Sequence, residues 1–262
     1  MTSASHPTPA GTPPTPLTQS PAFATGLAAV AGALNMWAFM NAGAFATSQT
    51  GNLIASVLYL LVGQWTRSLF VLGSLLAFGV GSAVSTVTLQ LASRRGKHAS
   101  PALLIAEAVL ISASGLLWAL KVVPTTLTVA HILAMVIAFI AGAQTNAFHQ
   151  ISGYSFGTVS ITAELRSLFH NLALLLMRVP TVRPQESTRV WTVRFTAVLL
   201  GFAAGALVVA GFALVAGWPK SSLSGSPMAR TGWALLFPAA ITVLLAWKVS
   251  RRNSATLAKA KQ

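Results

Sequence analysis

The sequence predicts an all-α, polytopic membrane protein of about six transmembrane helices plus two short broken or re-entrant segments. Three observations predict it. First, 54% of the 262 residues are hydrophobic and only 8% are charged, whereas a soluble domain carries about 25% charged residues. Second, the apolar residues fall in runs close to the roughly 20 residues a bilayer-spanning helix needs. Third, the basic residues gather in the short loops between those runs, as the positive-inside bias requires of a membrane protein. The net charge of +14 is therefore a topology signal. The clustered basic patch and fold signature of a nucleic-acid binder are missing. The chain has no cysteine, which excludes disulfides, thiolate metal sites and thiol catalysis.

Residues 1–21 are rich in Pro, Thr and Ser and contain no Lys or Arg. This composition predicts a disordered tail and lacks the basic start of a signal peptide. The integral membrane domain is expected over 22–250, in halves of about 22–121 and 125–250. The first apolar run, 22–46, carries Asn35 and Asn41. Residues 51–63 are apolar but too short to span, and Trp65 follows as an interfacial anchor. Residues 68–93 form the next span, with Gly73, Gly79 and Gly81 as small residues suited to close helix approach. Spans follow at 101–121 and 125–147, joined by a tight turn around Lys121 and Pro124. Residues 157–177 are interrupted by Glu164 and Arg166, and 178–194 form a basic linker. The last spans are 195–217, with packing glycines at 201, 205 and 211, and 231–249, before a basic tail at 251–262.

Charge placement selects the number of crossings. With eight full spans the most basic regions would be split between compartments. With 51–63 and 157–177 entering and returning on one side, six spans remain, and one side holds 12 of the 17 Lys and Arg. The expectation is a cell inner-membrane location with both termini cytoplasmic. Each half then has an odd number of crossings, so related halves would form an inverted repeat. Their short segments could then meet near the midplane, as in transporters built from broken helices.

Two polar islands sit at matching places. The first holds Asn35, Thr50, Gly51 and Asn52; the second holds Gln144, Asn146, Thr162 and Glu164. Thr50-Gly51-Asn52-Leu53 can be laid over Thr162-Ala163-Glu164-Leu165. The stretch Phe45-Ala-Thr-Ser-Gln-Thr-Gly-Asn-Leu53, with Gln144 through Ser167, resembles the two signatures of the YoaK family of bacterial membrane proteins. The resemblance implies six membrane spans and assigns no activity. It also marks departures: Asn35 stands where the family usually has Asp, and Ala163-Glu164 replaces a second Gly-Asn.

The eight island residues are the candidate solute-binding set. Polar groups in hydrocarbon are expensive, which makes Glu164 the sharpest of them, as a protonatable or cation-binding carboxylate or as a partner of Arg166 that fixes a bend. Thr50 suits an N-cap, and free N–H groups there could hold a polar or anionic solute. The alternative is that these side chains only hold helices together. Glu107 stands near the start of a span, with His131 on the next helix as an expected partner, while His149 and His170 suit interfacial positions. The histidines lack metal-ligand spacing and the chain has no Asp, so no catalytic triad is available. The reading is a non-enzyme without cofactor or metal, embedded in membrane lipids. It passes an unidentified small solute, and glycine-rich helices leave room for a homo-oligomer.

Overall fold

The computed structural model describes residues 17–96, 99–151, 154–155, 161–177, 187–218 and 227–259. The chain forms α1 (Pro21–Ala42), α2 (Gln49–Leu61), α3 (Trp65–Arg94), α4 (Ser100–Ala119), α5 (Leu127–Ala147), α6 (Ile161–Leu176), α7 (Thr188–Val215) and α8 (Leu236–Lys259). A two-residue antiparallel pair, Gln150–Ile151 with Tyr154–Ser155, follows α5. Six helices among the described residues are long and apolar enough to cross a membrane, the last including the 3-10 turn Ala229–Leu235 that leads into α8. Helices α2 and α6, of 13 and 16 residues, are about 20 and 24 Å long, short of the roughly 30 Å hydrocarbon core.

Local chemistry sets the helix ends. Ser20 caps α1, its Oγ accepting from the Phe23 N–H at 3.3 Å, and Pro21 occupies the first turn, where no N–H is needed. The helix therefore begins inside the expected tail. Leu17–Gln19 add a short 3-10 turn, and residues 1–16 lie outside the described residues. Gly43 ends α1 with φ 66°, and Gly63 turns the chain between α2 and α3 with φ 75°. The expected turn at Lys121 is present, with φ 56°. Two boundaries differ from expectation. Residues 188–194, expected in the linker, are the first turns of α7, and the tail at 251–259 continues α8. Neither stretch contains a helix breaker, and Arg and Lys are good helix formers. The Arg194 and Arg251 guanidiniums lie over the rings of Trp191 and Trp247 at 4.8 and 4.2 Å.

Helices α1 and α5 are the most buried of the spans, whereas α3 and α7 flank them. Helix α3 runs parallel to α5: Gly73 meets Met135, Gly81 meets Phe139, and Asn146 reaches Ser85 and Thr86. Helix α1 runs parallel to α7: Thr25 meets Gly201 and Ala29 meets Gly205. Helices α1 and α5 are antiparallel, since Phe23 packs on Phe148 while Leu27 bonds Gln144. Helix α4 packs against α8, with Gly115 against Gly232 and the Trp118 Nε1–H donating to the Met228 carbonyl at 2.8 Å. Helix α2 packs on α3, and α6 on α7.

The close crossings depend on glycine. A Cβ on Gly81 would fall on the Phe139 carbonyl oxygen, and one on Gly142 on that of Phe78. A Cβ on Gly32 would fall on the Phe202 carbonyl oxygen, and one on Gly205 on that of Ala29. Gly79 and Gly211, expected from the sequence to pack, differ: a Cβ on either would meet nothing within 4 Å. They sit on outward faces.

Asn41 ties the far end of α1 to the turn before α8. Its Oδ1 accepts from the Met228 N–H at 3.0 Å and the Thr231 hydroxyl at 3.1 Å. Asn41→Leu takes this acceptor from the Met228 N–H, whereas the Thr231 hydroxyl keeps the Met228 carbonyl at 2.6 Å, and we expect a loss of about 1–3 kcal/mol. A lowered melting temperature in detergent, partly recovered by Asn41→Asp, checks this.

Candidate functional site

After Gly43 the chain does not leave the bundle. It folds back along α1 in extended form, so that the Thr47 N–H donates to Asn35 Oδ1 at 3.0 Å. Asn35 lies about two turns before the end of α1, so α2 starts roughly 10 Å below that end by helix rise. The helix then runs back outward to the turn at Gly63. This is a re-entrant loop, as expected for residues 51–63.

Asn52 holds the returning strand. Its Oδ1 accepts from the Phe45 N–H at 2.8 Å, and its Nδ2 donates to the Phe45 carbonyl at 2.7 Å and to Gln49 Oε1 at 2.9 Å. The side-chain amide thus pairs with both backbone groups of Phe45, as a neighbouring β-strand would. Buried backbone groups need such partners where no water reaches them. Gln49 Nε2 donates to the Ala46 carbonyl at 2.9 Å and completes the loop. Gly51 is small because the Phe45 ring, stacked on Phe39 at 4.9 Å, lies against it. Ser48 precedes α2 without a side-chain capping bond. The first amides of α2, at Thr50 and Gly51, therefore have no intrahelical acceptor. Ser48 holds the N-cap position and Thr50 is already the second residue of the helix, so it is not the N-cap foreseen from the sequence; its side chain is exposed.

The second island is spread out. Gln144 is buried on α5; its Nε2 donates to the Leu27 carbonyl at 3.1 Å, and its Oε1 has no partner among the described residues. Asn146 Nδ2 donates to the Thr86 hydroxyl at 2.9 Å and lies 3.4 Å from the Ser85 hydroxyl. Glu164 is buried on the first turn of α6, whereas Thr162 is exposed beside it. Thr158 and Ser160 lie outside the described residues. Asn35 and Asn52 thus share one loop, and Gln144 and Asn146 serve two different helix contacts. Helices α2 and α6 pack on α3 and α7, with α5 and α1 between those two. Sequence reasoning missed Phe45, Ser85 and Thr86 as working partners, because an aromatic and two hydroxyls in apolar runs carry no signal until the backbone is placed.

Other candidates resolve plainly. Glu107 and His131 are both buried and make no hydrogen bond with each other or with other described residues. His149 is exposed, its Nδ1 lying 2.8 Å from the Asn146 carbonyl, and His170 is exposed on α6. Among the described residues no group of His and Glu side chains is placed to hold a metal ion.

Six apolar spans, with α1 and α5 the most buried of them and a half-length helix that starts partway down the bundle, define a polytopic α-helical membrane protein. The chain belongs to the family described as protein of unknown function DUF1275, whose model matches residues 23–247. That is the YoaK-like family to which the two signatures pointed. No curated protein and no solved structure matches the chain.

Proposed function

We propose that the protein passes a small polar solute across the cell inner membrane, as a transporter or channel-like protein, with both termini on the cytoplasmic side. The observation that carries this reading is the start of α2 partway down the bundle, level with Asn35 rather than with the end of α1. Its first amides, at Thr50 and Gly51, have no intrahelical acceptor and sit at the positive end of a helix dipole, and the loop fastened by Asn35 and Asn52 holds them there. The packing relations support an inverted repeat. If α1–α4 are matched in order with α5–α8, the α1–α7 contact becomes α5–α3, and α2–α3 becomes α6–α7. Both pairs of crossings then match in detail: Gly32 and Gly142 correspond, as do the Phe-x-x-Gly runs Phe78–Gly81 and Phe202–Gly205. Related helices point in opposite directions, as the odd crossing number demands. The chain acts in this reading as a non-enzyme without cofactor, surrounded by membrane lipids on the apolar outer faces of α2, α3 and α7 and with no role for nucleic acid.

The second reading is structural. It is favoured by Asn52, both of whose amide atoms are engaged within the loop, and by Asn35, whose Oδ1 is engaged there too. It also gains from the separation of α2 from α6, which keeps the first and second islands from lining one path.

The absence of native cysteine allows a direct test. Cysteine is placed at Thr50 and Thr162, the exposed positions on the two short-helix first turns, and labelled from each side with a membrane-impermeant reagent. Passage predicts that both positions label in membranes, position 50 from outside and 162 from the cytoplasm. Failure of both, with Arg67→Cys and Arg95→Cys labelling as controls, would leave only the structural reading. Glu164→Gln separates the readings further. Passage through a working acid predicts at least about a tenfold drop in proton-coupled uptake by proteoliposomes, with folding retained. A lowered melting temperature without any uptake to lose would point to a structural carboxylate.

A further inference from the structure

A cleft of about 370 Å³ opens between the N-terminal ends of α3 and α5. That volume suits a small ligand or a headgroup. Gln64, Thr66, Arg67, Phe70, Thr128 and His131 line it, and none of its lining residues is acidic. Four features suit it to an anion: Arg67 and two helix N-termini supply positive charge, and His131 supplies a ring N–H donor. The Arg67 guanidinium lies over the Tyr59 ring at 4.9 Å and its Nη1 donates to Gln64 Oε1 at 3.4 Å, while its buried Nε has no partner among the described residues. His131 is only 2% exposed and stacks on Phe70 at 4.9 Å. Neither ring nitrogen of His131 makes a hydrogen bond of good geometry, although the carbonyls of Leu127 and Ala42 lie near. Gln64 offers no side-chain cap to α3, so the first amides of a 30-residue helix point into this end. In α5 the Thr126 side chain takes the Val129 N–H at 3.3 Å, and the earlier amides have no intrahelical acceptor.

An arginine, a buried histidine without a well-formed hydrogen bond among the described residues, two hydroxyls and two helix N-termini converge where no lining residue is acidic. The C-terminal end of α2 offsets part of the Arg67 charge, but it supplies no acceptor to the Arg67 Nε or to His131. Two helix dipoles and a planar guanidinium fork favour an anion with several acceptor oxygens. A carboxylate offers two; a phosphate offers three or four. We propose that this cleft binds the oxyanion of a phosphate group, supplied by free phosphate or by a lipid headgroup. Trp65, 64% exposed at its rim, places it at the level of the membrane interface. The assignment stands apart from the passage reading, since it concerns occupancy and requires no flux.

The test uses the full chain in dodecyl maltoside, which carries no phosphate. Inorganic phosphate is titrated against chloride at matched ionic strength, and phosphatidylglycerol is titrated in a second series; both are read by melting temperature. We expect saturable stabilisation by at least one of the two. Arg67→Gln should weaken it by about tenfold or more, His131→Gln by less, and Arg67→Lys should retain part of it. Arg230→Gln, outside the cleft, should titrate as the parent does. Response to inorganic phosphate identifies a free anion, and response to the lipid alone identifies a headgroup. Lack of response to either, or titrations of Arg67→Gln and His131→Gln that overlie the parent, would overturn the assignment.

Discussion

Gly205→Val should prevent the protein from folding into a stable bundle. A Cβ at this position coincides with the Ala29 carbonyl oxygen on α1. The obstacle is backbone inside a parallel helix pair, so no side-chain rotation relieves it, and α1 and α7 must separate along the length of their contact. Overpacking of a core costs about 1–3 kcal/mol when side chains can shift; against backbone we expect more than about 3 kcal/mol, a large part of a domain's 5–15 kcal/mol. Gly81→Val should do the same at the α3–α5 crossing, where the Cβ meets the Phe139 carbonyl. Gly79→Val and Gly211→Val supply the contrast, because nothing lies within 4 Å of either Cβ position. Detergent size-exclusion profiles and melting curves of the four variants decide it. If Gly205→Val ran and melted like Gly211→Val, α1 and α7 would not cross at this glycine.

Asn52→Leu should open the re-entrant loop. It removes the acceptor for the Phe45 N–H and the donor for the Phe45 carbonyl. Each backbone group left unpaired in a buried setting costs about 1–3 kcal/mol, so a total of about 2–6 kcal/mol is expected. Asn52→Asp should fare nearly as badly despite its similar shape. It keeps an acceptor for the N–H but turns an oxygen toward the Phe45 carbonyl and Gln49 Oε1, where Nδ2 now donates. Thr50→Val, at an exposed position two residues earlier, should leave the melt unchanged. Labelling of a cysteine at Ala46, which is fully buried, should accelerate at least about tenfold in Asn52→Leu and stay slow in Thr50→Val. Equal labelling in both variants would remove Asn52 from its role as the fastener.

Hydropathy and charge carried the architecture into the sequence. Six runs are long and apolar enough to span, whereas 51–63 is too short and 157–177 is interrupted by Glu164 and Arg166, and the thickness and polarity of the bilayer turn those differences into structure. The side bias of Lys and Arg selected six crossings over eight for the same reason: moving a loop of cations across a membrane is costly whatever the loop's shape. The re-entrant start of α2 was also legible, since Thr50-Gly51-Asn52 interrupts an apolar run that must otherwise satisfy its own backbone. Relations between distant segments were not. Gly79 and Gly81 are equivalent as letters, yet only Gly81 faces α5, because helix rotation is set by the neighbours a helix finds. The matched Phe-x-x-Gly runs of α3 and α7 do not align at the offset that superposes the two short segments, since linkers of different length shift the register between the halves. The sequence by itself determined how many times the chain crosses and where it must turn back, because those follow from the solvent properties of lipid. Only the tertiary structure decided that α2 and α6 stand apart, that Asn52 pairs with Phe45, and that Arg67 and His131 share a cleft. These depend on which helices touch, and close packing between apolar surfaces leaves no trace in composition.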